Sequence, residues 1–153
     1  MGVFCLRALP LFFLMAAADP WTPSDLVSPA RLAPDLGSAL VIQVGFPALY
    51  HGAHIAGSIY AGPASKPEGI EALRKAVASE PRDRAIVLYC GCCPWDHCPN
   101  IRPAFAALKQ MGFTHVRALE IPTNLKTDWV DREYPTEHGA QHGAQHGAER
   151  GGG

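Results

Sequence analysis

Apolar residues along the chain arrange themselves in two alternating rhythms. Residues 39–44 (Ala-Leu-Val-Ile-Gln-Val) form a short, nearly continuous apolar run, the pattern of a strand buried on both faces of a parallel sheet. Residues 54–60 make a second short strand, with Gly52 just before it and Gly57 inside it. A third strand covers 85–89 and a fourth covers 114–119. Between these runs the spacing becomes helical. Ser65, Pro67 and Glu68 supply a cap, an early proline and an early acid for a helix that places Ile70, Leu73, Ala76 and Val77 on one face and stops by Pro81. A second helix runs over 101–111, carrying Phe105, Leu108 and Met111. Pro103 is tolerated in its first turn, where backbone donors have no helical partner, and Gly112 stops it at the C′ position. Shorter pieces are a capped turn over 28–33 with Ser28 as N-cap and Pro29 at the first helical position, a turn or single helical turn over 46–53, and a short final helix over 123–130 bearing Trp129. Strands that alternate with helices predict an α/β fold, a mostly parallel sheet of four to five strands covered by helices on both faces.

Composition adjusts this picture at the two ends. The whole chain has 153 residues, is 48% hydrophobic and has a formal charge of −1, which fits one domain and gives no reason to expect nucleic acid or an acidic membrane as partner. Residues 1–18 differ from the rest: Arg7, an apolar stretch broken only by Pro10, then Ala16-Ala17-Ala18 before Asp19. That is the layout of a secretory signal peptide cut after Ala18, which predicts export to the periplasm or the medium and the loss of Cys5. Past the signal no run is long enough to span a bilayer. At the other end His138, His142 and His146 each open a His-Gly-Ala-Gln/Glu repeat. Residues 136–153 therefore read as a disordered tail with no large apolar residue to bury.

The chemistry is concentrated where the third strand meets the second long helix. Cys90, Cys92, Cys93 and Cys98, four of the five cysteines, lie in one loop, Tyr89-Cys90-Gly91-Cys92-Cys93-Pro94-Trp95-Asp96-His97-Cys98-Pro99-Asn100. In an open α/β sheet that place, at a strand's carboxyl end facing a helix N-terminus, is where ligands and reactive groups gather. A thiolate there has its pKa lowered by the helix dipole, and the amides of a tight loop, Gly91 among them, can cradle an anionic sulfur. These are the requirements for carrying sulfur as a persulfide, and His97 and Arg102 are the nearest candidates to hold an anionic donor. The same thiols with His97 could instead ligate a soft metal such as Cu(I) or Zn(II), although the spacing C-x-C-C-x4-C is not a common zinc-finger spacing. Cys98 could also pair with Cys92 or Cys93 in a disulfide, redox-active or simply structural. Of the other histidines, His54 reads as structural, while His51 and His115 read as surface residues. Trp95 either shields the loop from water or packs against the domain.

Several stretches now fall into a familiar order: 27–32 (Val-Ser-Pro-Ala-Arg-Leu), 40–45 (Leu-Val-Ile-Gln-Val-Gly), 54–58 (His-Ile-Ala-Gly-Ser), 86–90 (Ile-Val-Leu-Tyr-Cys), then Gly112-Phe113, Val116, Trp129 and Tyr134-Pro135. Over residues 26–135 the chain resembles the single-domain rhodanese-like sulfurtransferases. The 27–32 stretch looks like that family's opening turn, and 40–45 its first signature strand, which usually ends Asp-Val-Arg. Residues 54–58 are similar to its Gly-His-Ile-Pro-Gly-Ala motif, and 86–90 to the strand that delivers its catalytic cysteine. The resemblance implies a rhodanese-like domain without cofactor or metal. It takes sulfane sulfur from thiosulfate or a similar small sulfur-containing anion and passes it to a thiol, including a protein thiol, or to cyanide. Cys90 matches the sulfur carrier, with Cys92, Cys93 and Cys98 as resolving or assisting thiols. Gln43 and Gly45 depart from the family's usual Asp and Arg, and the loop is longer and richer in cysteine. Measured back from the helix, Cys93 or Cys98 could equally occupy the cradle. A metal carrier or a thiol–disulfide protein reusing the fold stays open beside the transferase.

Overall fold

A computed structural model describes residues 19–139, so the leader-like stretch 1–18 and the tail from residue 140 lie outside the described residues. Five strands form one parallel sheet in the order β1 (Leu26–Val27), β6 (Val116–Leu119), β5 (Ile86–Tyr89), β2 (Leu40–Gln43), β4 (Ile59–Tyr60). A separate antiparallel pair joins β3 (His54–Ile55) to β7 (Thr136–Glu137). The helices are α1 (Pro29–Leu32), α2 (Pro47–Gly52), α3 (Pro67–Ala76), α4 (Ile101–Gln110) and α5 (Leu125–Asp128). The expected α/β architecture is what the chain adopts.

The apolar runs explain the layering. Central β5 has all four residues buried, and alternate side chains enter opposite cores. Ile86 and Leu88 pack with Ile42, Leu73, Ile101, Phe105 and Leu108 on the α3–α4 side. Val87 and Tyr89 pack with Val41, Leu32, Ile55, Leu125 and Trp129 on the other. Burying a large aliphatic or aromatic side chain stabilises by roughly 1.5–3 kcal/mol. The most deeply anchored strand is thus the one whose carboxyl end opens into the cysteine loop, which gives the loop a fixed base.

Several local expectations give way to tertiary demands. The 54–60 stretch is not one strand. A turn at Ala56-Gly57 divides it, and its halves β3 and β4 join different sheets. Tyr89 fixes this turn from below, since its hydroxyl accepts from Ile55 N–H at 3.1 Å and bonds Ser58 Oγ at 3.0 Å. Ser65 does not cap α3. Lys66 holds the cap position, Ser65 N–H points to Asn100 Oδ1, and the helix ends at Ala76, before Pro81. Ser28 does hold the cap position of α1, with Pro29 first in the helix as expected, but it makes no side-chain cap bond. The final helix shrinks to α5, capped by Asn124, whose side chain accepts from Thr127 N–H. Thr136–Glu137 falls in the stretch read as tail, yet it is the strand β7 against β3.

Candidate functional site

The site begins where β5 runs out. Tyr89 C=O accepts from Val44 N–H at 2.8 Å, which keeps the strand in register up to its last residue. Cys90 follows, 3% exposed, with its side chain turned back into the α3–α4 core. Gly45 makes room for it: a Cβ there would lie 2.8 Å from Cys90 Sγ and 2.9 Å from the Cys90 carbonyl oxygen. Any side chain at this position would press on the buried sulfur and on the Cys90 backbone. Gly91 then reverses the chain with φ +88°. Its carbonyl accepts from Leu125 N–H at 3.0 Å, which pins the loop to α5. Farther along, Trp95 N–H donates to Ile121 C=O at 3.0 Å, and a 3-10 turn, Trp95–His97, brings the chain back toward α4. Trp95 packs its ring against Trp21 at 5.4 Å, and Trp21 sits edge-on to Phe105. Trp95 therefore fastens the loop to the domain.

This path gathers four free thiols. Cys90 Sγ lies 3.2 Å from Cys92 Sγ, and Cys92 Sγ lies 3.2 Å from Cys93 Sγ. The sulfurs of Cys90, Cys92 and Cys98 all lie within 4.8 Å of one another. Cys90 and Cys98 are buried, Cys93 is half-buried and Cys92 is exposed. The two buried thiols share one proton unequally. Cys90 S–H faces Cys98 sulfur, and this contact with burial holds the Cys90 proton on, far above the ordinary cysteine range. Cys98 is pulled down to about 6, first by that hydrogen bond from Cys90 and then by the N–H groups of Asn100 and Ile101, against the opposing effect of its burial. Those amides belong to the first turn of α4, where donors are free and the dipole is positive. Cys93 is pushed up to about 12, mainly by burial and then by Cys92.

The sequence-predicted residues do not all converge. Cys90, Cys92 and Cys98 come together, with Cys93 one contact away through Cys92. Gly91 and Cys92 lie on the wall of a cavity of about 560 Å³, mostly apolar, completed by Leu49, Ala53, Leu125 and Val130. Arg102 and His97 are engaged elsewhere. Arg102 ion-pairs with Asp19, donates to Asp96 C=O at 3.3 Å and stacks over Trp21. His97 is largely exposed and pairs with Asp96 at 2.9 Å, which lowers the Asp96 carboxyl pKa. His54 is structural as expected, donating from Nδ1 to Tyr50 C=O at 2.8 Å and stacking on the Tyr50 ring. The residue that sequence reasoning missed is Asn100. It is fully buried, its Oδ1 accepts from Ser65 N–H at 2.9 Å, and its Nδ2 donates to Cys90 Sγ at 3.4 Å. An asparagine just ahead of an apolar helix reads as a cap, and nothing in its spacing announces that the side chain is spent on a sulfur instead.

No family model matches the chain, and no curated protein matches it. Solved structures do. A rhodanese-like domain of an Anabaena sp. protein superposes with a TM-score of 0.55 at 20% identity, over 84% of this chain and 89% of that one. A Bacillus halodurans protein gives 0.58 at 21% identity, over 75% and 77%. A rhodanese-related protein from Thermoplasma volcanium gives 0.53 at 22% identity, over 72% and 95%. The chain has a rhodanese-like fold, and a cysteine cluster occupies the carboxyl end of its central strand.

Proposed function

We propose, from the rhodanese-like fold as premise, that the chain is a sulfurtransferase that carries sulfane sulfur as a cysteine persulfide in the Cys90–Cys98 loop. One observation carries the reading: Cys98 sulfur sits under the Asn100 and Ile101 amides at the start of α4, with three more thiols beside it. Those amides favour an anionic sulfur, and a persulfide is such an anion. The carrier is Cys98, and Cys90 is its buried partner. Cys92 is the exposed thiol that meets the donor. With thiosulfate as donor, Cys92 thiolate bonds the outer sulfur, the bond to the sulfonate breaks, and sulfite leaves with the electron pair. Cys98 thiolate then takes the sulfane sulfur from Cys92, which returns as thiolate. The acceptor is a small thiol, a protein thiol or cyanide. The signal-like stretch 1–18 supports action outside the cytosol. Among the described residues no helix is long and apolar enough to cross a membrane.

The test is the intact mass of pre-reduced, metal-free protein with and without thiosulfate. The expected result is uptake of one sulfur atom, read as a mass gain lost on reduction or as sulfide already released, with none held at position 98 in Cys98→Ser. The absence of both a mass gain and released sulfide with thiosulfate, inorganic polysulfide and a low-molecular-weight persulfide overturns the reading.

A second reading has its own support, the three sulfurs within 4.8 Å. Two bonds of about 2.3 Å to a shared ion span at most about 4.6 Å. Cys90, Cys92 and Cys98 therefore need only small shifts of their sulfurs, with the 3.2 Å Cys90–Cys92 pair moving apart, to hold a soft ion such as Cu(I) or Zn(II) through three thiolates. Stoichiometric binding, lost in the same cysteine variants and unaccompanied by any sulfur gain, would select this reading over the first.

A further inference from the structure

A simple carrier needs one thiol, and this loop has four. Two of them, Cys90 and Cys98, are buried together, 3% and 1% exposed, with their sulfurs within 4.8 Å of each other. A persulfide on Cys98 would therefore have as its nearest nucleophile not an acceptor from solution but the thiol of Cys90. Cys90 is itself positioned by Asn100 Nδ2 at 3.4 Å and is kept beside the strand by the space that Gly45 leaves. From Cys90 the next sulfur, Cys92 at 3.2 Å, is exposed. The thiols form a file from a buried carrier to the surface.

We infer that the loop resolves its own persulfide and releases the carried sulfur as sulfide, an inference that rests on the sulfur-carrying reading above. Cys90 sulfur attacks Cys98 Sγ. A Cys90–Cys98 disulfide forms as the bond between Cys98 Sγ and the outer sulfur breaks. The electron pair and the Cys90 proton leave with that outer sulfur as hydrogen sulfide. Two cysteine sulfurs are oxidised by one electron each, and the sulfane sulfur is reduced by two. Cys92 then attacks the disulfide at Cys90, which frees Cys98 as thiolate and moves the disulfide to the exposed end of the file. There an external dithiol reduces it, becoming a disulfide itself, and the loop is ready for another sulfur. The mobile partner implied is a dithiol reductant, and the net reaction is reduction of sulfane sulfur to sulfide. A closing movement is small: sulfurs within 4.8 Å must come to about 2.05 Å, and thiol–disulfide exchange needs access only at the final sulfur.

The experiment is a single turnover of the full chain, pre-reduced and metal-free, with one equivalent of thiosulfate and in parallel inorganic polysulfide, and with no added thiol. Sulfide is measured alongside the intact mass and the crosslinks in an unreduced digest. The wild-type protein is expected to release sulfide, to lose two hydrogens from its mass, and to yield a crosslink that joins Cys90 to Cys98 or to Cys92. Cys90→Ser, and separately Cys90→Ala, are expected to keep the added sulfur and to lose sulfide release. If wild type instead retains a stable added sulfur and no crosslink appears, the resolution step is overturned while the carrier reading stands. If neither protein gains sulfur nor releases sulfide, the carrier reading itself has failed. The crosslink map uses wild type alone, so it decides the matter even if the Cys90 variants fold poorly.

Discussion

Asn100→Ala should loosen the loop and the helix start together. Asn100 is fully buried, so its removal is not a surface change. The bond from Ser65 N–H at 2.9 Å is a good neutral one, worth about 1 kcal/mol net. The bond to Cys90 Sγ at 3.4 Å is weaker and belongs near the low end, about 0.5 kcal/mol. Leaving Ser65 N–H without its acceptor adds a penalty from the range of about 1–3 kcal/mol. Ser65 itself is exposed, so water can recover part of that loss, and the lower end, about 1 kcal/mol, applies. The expected total is about 2–3 kcal/mol, read as a lower midpoint in urea with an unchanged slope under reducing, metal-free conditions. Asn100→Asp is the companion variant. It keeps an acceptor for Ser65 but sets a carboxylate against Cys90 Sγ in place of a donor, beside the Cys98 thiolate. It should be the less stable of the two at neutral pH and should recover as the carboxyl protonates in acid. A loss for Asn100→Ala within about 0.5 kcal/mol, the range of an ordinary surface change, would refute the assignment of this side chain as the loop's support.

Two further outcomes follow from the same geometry. Gln43 is fully buried on β2, and neither its Oε1 nor its Nε2 has a hydrogen-bond partner. Gln43→Met, which keeps the length and removes both polar atoms, should stabilise by about 1–3 kcal/mol in thermal or urea unfolding, and destabilisation would show that the amide is satisfied in solution. For Cys98, the proposed carrier thiol, the sign is set by its lowered pKa: neutral in acid, it becomes an anion as pH rises through about 6. Thiolate absorbance should therefore rise by one equivalent near that pH, well before an ordinary cysteine ionises, and the step should vanish in Cys98→Ser. A first step that survives in Cys98→Ser but vanishes in Cys90→Ser would place the anion on the wrong sulfur.

The long apolar runs were legible because burial on both faces leaves no alternation to misread: 39–44 and 85–89 became β2 and β5, and 101–111 became α4. The place of the cysteine loop followed from that order. Two-residue strands were not legible. Leu26–Val27 and Thr136–Glu137 carry no periodicity of their own and exist only because β6 and β3 offer them backbone partners. The 54–60 run has strand-forming residues in both halves, and sequence does not say that they pair with different neighbours. Ser65 looked like a cap because its type and position suit one, and only the fold reveals a stronger partner in Asn100. Within the site, residue types announced thiol chemistry, but the division of labour between Cys90 and Cys98 depends on which sulfur the α4 amides face. That is a through-space property nine positions away from where the strand ends, and spacing alone cannot rank the two.

The last described residues return close to the loop. β7 lies against β3, His138 Nδ1 donates to Gly52 C=O at 2.6 Å, and Gly139 N–H donates to His51 C=O at 2.9 Å. Gly52 is also part of the wall that Cys92 shares. Whatever is fused after Gly139 therefore sets out from the rim of that opening. A purification handle or reporter fused directly after Gly139 would start beside the exposed thiol of the file, so probes of its reactivity belong on a protein without such a fusion.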